Sequence, residues 1–244
     1  MKMFDQVIVG EEEILIKPLY LILMKNNRGN VKQCRTLIKH NHVFVNGVIE
    51  NDYNRLIDKN DIVYDEYGRM DSSPFVYYML NKPKGYVCAN KDDQYNCIFE
   101  IIDKDDCFCV GRLDIDTTGF VFITNDKSLS KKLSHPNFNK IKTYLVTTQF
   151  PIEKDYINKF KEGIVIDNDI VCKSSELEII DDYHCYVSLT EGKYHQVKKM
   201  FMSCDNKVIE LKRISFCGIY LDESLKEGEF RSLTKEELEK LFAD

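Results

Sequence analysis

Two apolar, strand-like runs in this 244-residue chain are separated by a short polar segment that carries two aspartates and an arginine. CFCV at residues 107–110 and FVFIT at residues 120–124 flank the segment GRLDIDTTG. Aromatic and β-branched residues favour strands, so the two runs are predicted to be adjacent strands of one sheet. The connection between them should then lie at a sheet edge or at the mouth of a cleft, where loops often carry function.

Length and composition bound the class of protein. The chain is 43% hydrophobic, which is enough for a core, and its length fits a small domain followed by a larger one. No apolar run reaches the roughly 18 residues that cross a bilayer. The start, MKMFDQVIVGEEE, lacks the basic and small-residue features of a signal peptide. The sequence therefore predicts a cytoplasmic protein.

The cysteines and histidines show no pattern typical of a metal site. Nine cysteines are an odd number without a CxxC pair, and the five histidines lack the spacing of metal ligands. We interpret the cysteines as reduced, mostly buried thiols, and we predict no metal site.

The first part of the chain reads as a small module of two helices and a hairpin. PLYLILMKN at residues 18–26 predicts a packed helix, and VKQCRTLIKH at residues 31–40 predicts a second helix whose basic side chains face solvent. VFVNGVIE at residues 43–50 predicts two short strands joined by a tight Asn-Gly turn, and DIVYDEY at residues 61–67 predicts a third strand. This order is similar to the S4-type RNA-binding module, which stands at the start of many RNA-modifying enzymes.

The remainder of the chain predicts a larger α+β domain. Residues 1–67 form the module, GRMDSSP at residues 68–74 reads as a linker, and the second domain covers residues 75–244. Its strand-like runs are irregularly spaced among helices and turns, which favours a mixed, mainly antiparallel sheet over a regular βαβ alternation. TKEELEKLF near the end predicts a helix with a capping box formed by Thr234 and Glu237.

Four ordered segments of the second domain concentrate charged and aromatic residues. These are NKPKG at residues 81–85, GRLDIDTTG followed by TND at residues 111–126, HPNFNKIKTYLVTT at residues 135–148, and EGKYHQVKKM at residues 191–200. Taken singly, each has an ordinary structural explanation, such as a capping aspartate or a solvated helix face. The last segment is the densest basic-aromatic cluster, and such a cluster outweighs the formal net charge of −6 as a guide to nucleic-acid binding.

Taken together, the four segments resemble the RsuA-like branch of the pseudouridine synthases, which isomerise uridine to pseudouridine in ribosomal RNA. The family pattern is NKPxG, GRLDxxTxG with TND, HPxxxxxKxY and EGxYHQVKRM, in this order. The likeness runs from about residue 76 to the tail. The departures are Lys127 after TND where glycine is usual, Lys199 where arginine is more common, and Asp205 where many members have glycine.

The resemblance implies a catalytic set and a mechanism without a cofactor. Asp114 would assist cleavage of the glycosidic bond, Lys198 would hold that carboxylate ionised, and Tyr144 would stack on a uracil flipped out of the RNA. Asp116 is the competitor for the catalytic role. Because the isomerisation neither gains nor loses atoms, it implies no redox cofactor, nucleotide or metal. The residues assigned to RNA contact are Lys82, Lys84, Arg112, Thr117, Lys142, Lys193, Tyr194, His195, Gln196, Lys199 and, in the module, Lys32, Arg35 and Lys39.

The expected substrate is 16S rRNA of the small subunit, free or in an assembly intermediate, and the expected state is a monomer. Three alternatives stay open at this point. The target could be 23S rRNA of the large subunit. The protein could be a non-catalytic RNA-binding assembly factor, although it retains Asp114, Tyr144 and Lys198. It could also be a glycoside hydrolase that uses Asp114 and Asp116.

Overall fold

The computed structural model of the chain describes residues 17–58, 60–73, 75–104, 106–134, 140–167 and 169–242. The chain forms two compact units. The first comprises Met1–Val76 with Thr124–Lys132, and the second comprises Tyr77–Ile123 with Leu133–Asp244. Within the described ranges, no helix combines the length and apolar character that crossing a membrane would require.

The first unit contains two short helices and short strands. In chain order they are β1 (Lys17–Pro18), α1 (Leu19–Lys25), α2 (Val31–Lys39), β2 (Phe44–Val45), β3 (Val48–Ile49), β4 (Leu56–Ile57), β5 (Val63–Asp65) and β6 (Gly68–Arg69). The two predicted helices are therefore confirmed. Asn30 begins α2 with a capping box, because its side chain accepts from the Gln33 backbone and the Gln33 side chain accepts from the Asn30 backbone.

The predicted hairpin is confirmed at Asn46-Gly47, between β2 and β3. Both residues have positive φ, +54° and +86°, as a tight hairpin turn requires. A four-stranded sheet runs in the order β3-β2-β5-β6. Gly68–Arg69 pair with β5 and Met70 is buried, so the start of the segment predicted as a linker is part of this sheet.

The predicted solvent-facing position of Arg35 is wrong. Its guanidinium lies 4.5 Å from the ring centre of Tyr20 and 4.8 Å from that of Tyr53, and its Nε is buried without a hydrogen-bond partner. Two aromatic faces attract a guanidinium and desolvate it, so the side chain packs inward. Lys32 and Lys39, one turn to each side on α2, are exposed as predicted.

The remaining elements belong mainly to the second unit, with the end of β11 and most of α4 in the first. In chain order they are β7 (Tyr77–Lys82), β8 (Tyr86–Val87), β9 (Asn96–Cys97), α3 (Phe99–Ile102), β10 (Phe108–Val110), β11 (Thr118–Thr124), α4 (Lys127–Ser134), β12 (Lys142–Thr148), α5 (Tyr156–Glu162), β13 (Val165–Ile166), β14 (Ile170–Val171), β15 (Glu176–Ile179), β16 (His184–Leu189), α6 (Gln196–Met202), β17 (Val208–Phe216), β18 (Ile219–Tyr220), β19 (Phe230–Ser232) and α7 (Lys235–Phe242).

One nine-stranded sheet organises the second unit. Its main path is β15-β16-β12-β17-β11-β7-β19, with β10 paired to β11 and β18 paired to β17. β11 runs parallel to β17, whereas β12 pairs antiparallel with both β16 and β17. The α+β prediction with a mixed, mainly antiparallel sheet is confirmed. The predicted neighbours CFCV and FVFIT are also paired strands, β10 and β11, so the segment between them is the loop at their ends.

A bulge in β17 decides which of its side chains share a face. Tyr144 of β12 is opposite Arg213, while Thr143 is opposite Ser215, so β17 carries one extra residue, Ile214, at this point. An extra residue shifts the alternation of the strand by one. Arg213 and Phe216, whose numbers differ in parity, therefore face the same side as Tyr144.

The predicted capping box at the C-terminal helix is confirmed. The Thr234 backbone donates to the Glu237 carboxylate at 2.8 Å, and the Glu237 backbone donates to Oγ1 of Thr234 at 3.3 Å. The pair satisfies backbone groups that otherwise lack helical partners at the start of α7.

Gly119, the last residue of GRLDIDTTG, lies where β11 meets β17 most closely. A Cβ built at Gly119 would stand 2.3 Å from the Arg213 carbonyl oxygen, and φ is +100°. We expect Gly119→Ala to lower the free energy of unfolding by at least about 2 kcal/mol, because both the clash and the backbone strain act. Urea denaturation with measurement of the midpoint tests this expectation.

Gly218→Ala is the matched control. Gly218 also has positive φ, +75°, but a Cβ there would meet no atom within 4 Å. It carries only the strain of a left-handed backbone, about 1 kcal/mol. Equal losses in the two variants would show that the close approach of the strands contributes nothing.

Candidate active site

The loop with both aspartates is held from beneath by Lys82. This side chain is 0% exposed, and its Nζ donates to the carbonyl oxygens of Thr117 at 2.8 Å and Pro83 at 3.0 Å. Burial lowers the pKa of Lys82 below its usual value. The motif NKPKG thus supplies a lysine that fixes the loop, and the enclosed side chain favours this structural role over the RNA contact predicted for Lys82.

Thr117, at the end of this loop, is also enclosed. Thr117 is 1% exposed, and its Oγ1 is buried without a hydrogen-bond partner. The burial of Thr117 favours a role in the loop over the predicted RNA contact. Its backbone N–H donates to the Asp114 carbonyl oxygen at 3.1 Å, which closes the turn that presents the aspartates.

Two basic side chains from the segment at residues 191–200 lie next to the Asp114 carboxylate. Lys198 Nζ is 2.9 Å from Oδ2 of Asp114 and 2.5 Å from Oδ1 of Asp116, so one ammonium bridges both carboxylates. His195 Nε2 is 3.5 Å from Oδ1 of Asp114. The contact that the sequence predicted between Lys198 and Asp114 is present, and Asp116 joins it.

The bridge shifts the titration of its members. Burial lowers the pKa of Lys198, but the hydrogen bonds to Asp116 and Asp114 outweigh that effect and raise the pKa above its usual value. Burial raises the pKa of Asp116, and the hydrogen bond from Lys198 outweighs it, so this pKa is lowered. The ammonium and the Asp116 carboxylate therefore stay charged near neutral pH.

The segment before α6 is rigidified by its own polar groups. Gln196 accepts from the Lys193 backbone at 2.8 Å and donates to Glu191 at 2.7 Å, and Lys193 pairs with Glu191. His195 begins the helix in the left-handed region, φ +53°. Gln196 is buried and its amide is used within the segment, which favours a structural role over the predicted RNA contact.

A cavity of about 460 Å³ opens beside the aspartate loop. Its lining includes Asp114 and Tyr144, the two residues predicted for chemistry and stacking. Basic side chains outnumber acidic ones in the cavity wall, which answers the objection raised by the net charge of −6. The basic residues of the wall are Arg112, Lys140, Lys142, Lys173, Lys193, His195 and Arg213.

Tyr144 and Lys142 enter the cavity from β12. Tyr144 is largely buried and stands opposite Arg213 on the neighbouring strand. Lys142 lies two residues away on the same face, and its pKa is lowered by burial and secondarily by the charge of Arg213. These two β12 side chains and the Arg213 guanidinium share one wall of the cavity.

Arg213 was missed by the sequence interpretation. The guanidinium is 1% exposed, its Nε donates to the Phe120 carbonyl oxygen at 2.7 Å, and its Nη2 is buried without a partner. The available signal was an arginine in phase with Leu211 on a strand, because period-two alternation places both on one face.

The other predicted contact residues lie at the rim or away from it. Tyr194 is 74% exposed, stacks on His195 at 3.8 Å and has Lys199 Nζ 5.0 Å from its ring centre. Lys199 is paired with Asp167. Lys84 and Arg112 are exposed.

For two parts of the predicted motifs, His135-Pro136 and TND, the structure indicates no chemical role. His135 and Pro136 lie outside the described residues. In TND, the Asp126 carboxylate accepts from the Leu129 backbone at 3.1 Å, so this motif begins α4. Across the described ranges, no group of three or more His, Cys, Asp or Glu side chains is arranged to hold a metal ion.

Comparison with known proteins agrees with this geometry. A family model described as RNA pseudouridylate synthase matches residues 76–203, and one described as S4 domain matches residues 28–63. The chain is 40% identical over 214 residues to ribosomal small subunit pseudouridine synthase A of Haemophilus influenzae, which covers 86% of this chain and 92% of that protein. It is 37% identical over 206 residues to the protein of the same name from Escherichia coli K12, covering 82% and 89%.

A solved structure gives the same result for the fold. A crystal structure of a pseudouridylate synthase superposes with a TM-score of 0.69 at 38% identity, and covers 92% of this chain and 99% of that chain. The sequence match covers more than half of the chain and includes the loop of Asp114, Tyr144 and Lys198. The chain therefore belongs to the RNA pseudouridylate synthase family, the enzymes that isomerise uridine in RNA to pseudouridine.

Proposed function

We propose that this protein isomerises one uridine of small-subunit 16S rRNA to pseudouridine, with Asp114 acting on a nucleotide flipped into the basic cavity. The observation that supports this most directly is the bridge of Lys198 to Asp114 at the cavity wall. The choice of rRNA rests on the relatives, whose names specify the ribosomal small subunit. Free rRNA and an assembly intermediate are both suitable substrates for such a site.

The chemistry follows from the positions of these groups. The Asp114 carboxylate is held 2.9 Å from the Lys198 ammonium at the cavity wall, where it can assist cleavage of the bond between N1 of uracil and C1′ of ribose. The base then rotates and joins C1′ through C5. C5 gives up a proton and N1 gains one, so no atom is added or removed.

Tyr144 has the properties of a support for the displaced base. A target uridine must leave its stack, because a carboxylate cannot reach the sugar inside a helix. The Tyr144 ring offers an aromatic face inside the cavity, and base stacking on such a face contributes about 1–3 kcal/mol. The hydroxyl group is the proposed carrier of a proton during isomerisation.

The two units supply RNA contacts of different kinds. In the S4-type module, the exposed Lys32 and Lys39 of α2 suit the phosphate backbone. In the second unit, Lys84, Arg112 and Lys193 are the proposed phosphate contacts, while Tyr194 offers an exposed ring to a flanking base. We also propose that the protein is a monomer and that it is cytoplasmic, the latter in keeping with nine cysteines that form no disulfide.

Asp114→Asn should lower the rate of pseudouridine formation by at least about 10³-fold and leave the Kd for RNA unchanged, because the variant keeps the shape and loses the charge. Carbodiimide mapping of small- and large-subunit rRNA, free and as partly assembled particles, measures product and target together. Asp116→Asn is the control and should retain most activity. If Asp116→Asn is the inactive variant, the catalytic role passes to Asp116.

Tyr144→Phe should preserve stacking and lower the rate by about 10²-fold or more, because only the hydroxyl that moves a proton is lost. Tyr144→Leu should in addition weaken binding of the flipped base. Tyr186→Phe, on the opposite face of the sheet beside Ser188 and Lys212, is the matched control and should be silent. An unchanged single-turnover rate in Tyr144→Phe would restrict this residue to stacking.

Lys198→Met should move the acid limb of the kcat/KM profile to higher pH. The Lys198 ammonium is 2.9 Å from the carboxylate of Asp114, the proposed catalytic group, and 2.5 Å from that of Asp116. Without this ammonium the two adjacent carboxylates repel each other, which disfavours the doubly ionised pair as pH falls. The limb is read from rates between pH 4 and pH 9.

Two variants control this measurement. Lys198→Arg keeps the charge and should keep the limb near its wild-type position. Lys199→Met removes the neighbouring lysine, which pairs with Asp167 instead, and should leave the limb in place. An unmoved limb in Lys198→Met would mean that another cation maintains the ionised site.

A further inference from the structure

Arg213 is a buried cation that no carboxylate neutralises. Arg213 is 1% exposed, and in the described part of the chain the partners of its guanidinium are the Phe120 carbonyl oxygen and the Phe216 ring, 5.3 Å away. Its Nη2 has no partner. A buried charge without a counter-charge is costly, and a buried donor left unpaired adds to that cost. The fold retains this guanidinium at the cavity wall although it is destabilising there.

Comparison with three buried or half-buried lysines of the second unit sets Arg213 apart. Lys198 is bridged by two carboxylates, and Lys82 donates to carbonyl oxygens of the loop. Lys142, the nearest basic neighbour on β12, donates only to the Lys140 carbonyl oxygen at 3.3 Å. Burial lowers the pKa of Lys142, and the charge of Arg213 lowers it further. Arg213 and Lys142 thus lie on the same wall of the cavity, and within the described residues neither forms an ion pair with a carboxylate, although the charge of Glu191 acts on Lys142 from a greater distance.

The positions of Arg213 and Lys142 in the sheet show which side chain lies next to them. Arg213 is the direct cross-strand partner of Tyr144, and Lys142 lies on the same face two residues away. All three line the cavity. The proposed stacking ring for uracil therefore has two cations without an ion-pair partner as its neighbours on β12 and β17, and a base held on that ring would lie beside them.

We propose that Arg213 and Lys142 form an anion site that takes up the negative charge of uracil once it is detached from ribose. This inference rests on the proposed function. When the bond between N1 and C1′ breaks, both electrons leave with the base, and the charge spreads over N1 and the ring carbonyl oxygens. The same electrons return in the new bond from C5 to C1′, after which C5 loses a proton and N1 gains one. Fixed cations beside the ring stabilise the charge where it develops.

If the same two cations bound a phosphate instead of uracil, their removal would change a different measured quantity. Uracil is neutral until the bond breaks, so cations that serve it act on the rate and not on the affinity for RNA. A phosphate is already anionic in the ground state, so cations that serve it act on the Kd and on its salt dependence. The depth of Arg213 beside Tyr144 favours the base over the backbone.

The experiment compares Lys142→Met, Lys142→Arg and Arg213→Lys with wild type. Readouts are the single-turnover rate at saturating protein, the Kd for the rRNA target, and the slope of log Kd against log salt concentration. We expect Lys142→Met to lower the saturated rate about 10-fold to 100-fold, with the Kd within twofold and the slope unchanged. Lys142→Arg keeps the charge and should restore the rate. Arg213→Lys should lose rate without losing affinity, because the ammonium does not reach as far as the guanidinium.

Lys212→Met is the matched control, because Lys212 neighbours Arg213 on β17 but lines the opposite face of the sheet. It should behave as wild type. Lys142→Met keeps the test open if Arg213→Lys fails to fold. A saturated rate that stays at the wild-type value, with a weaker Kd and a salt slope reduced by about 0.7 per lost charge, would overturn the inference in favour of a phosphate site. Wild-type protein that forms no pseudouridine in either rRNA would instead overturn the proposed function.

Discussion

The geometry of the site depends on the burial of Lys82. Its ammonium is enclosed and has backbone carbonyl oxygens of the aspartate loop as hydrogen-bond partners, so the loop cannot relax without leaving a buried charge unsatisfied. This ties the turn after β7 to the connection between β10 and β11. The loop is thereby a fixed platform, and the carboxylates that it carries meet Lys198 at distances of 2.5–2.9 Å. Preorganised charges of this kind need no rearrangement when a substrate reacts.

A second constraint is the contact of β11 with β17. Gly119 leaves no space for a side chain against the Arg213 backbone, and this close parallel pairing holds Arg213 beneath the aspartate loop. The bulge at Ile214 then turns Arg213 and Phe216 to the same face. The final glycine of GRLDIDTTG therefore serves the cavity indirectly, through the strand that carries the guanidinium. Asp205 also occupies a position that suits glycine. Its φ of +55° lies in the left-handed region that glycine occupies most easily and that aspartate tolerates.

The sequence predicted the elements well wherever local rules determine them. Apolar periodicity gave the helices of the module, Asn46-Gly47 gave the hairpin, and the two apolar runs around GRLDIDTTG gave paired strands. It predicted less well which polar side chains face the solvent. Lys82, Thr117 and Gln196 occur in motifs, but a motif does not distinguish a side chain that meets RNA from one that holds the loop in place. Arg35 was placed in solvent because helical periodicity ignores the two tyrosines that enclose it, and those come from other parts of the chain.

The distribution of charge links the fold to the choice of ligand. The chain has a net charge of −6, yet the wall of its cavity is basic. Acidic surface elsewhere repels phosphates, so RNA gains most by approaching where the basic residues are concentrated. The cations of the cavity differ in how deeply they are buried. The exposed Arg112 lies where a backbone phosphate can reach it. The buried Arg213 lies beside the ring of Tyr144, which would hold a base. An exposed cation improves binding of any RNA, whereas a buried one contributes only when charge appears next to it. The proposed roles thus assign RNA affinity to the exposed Arg112 and turnover to the buried Arg213 of the same wall.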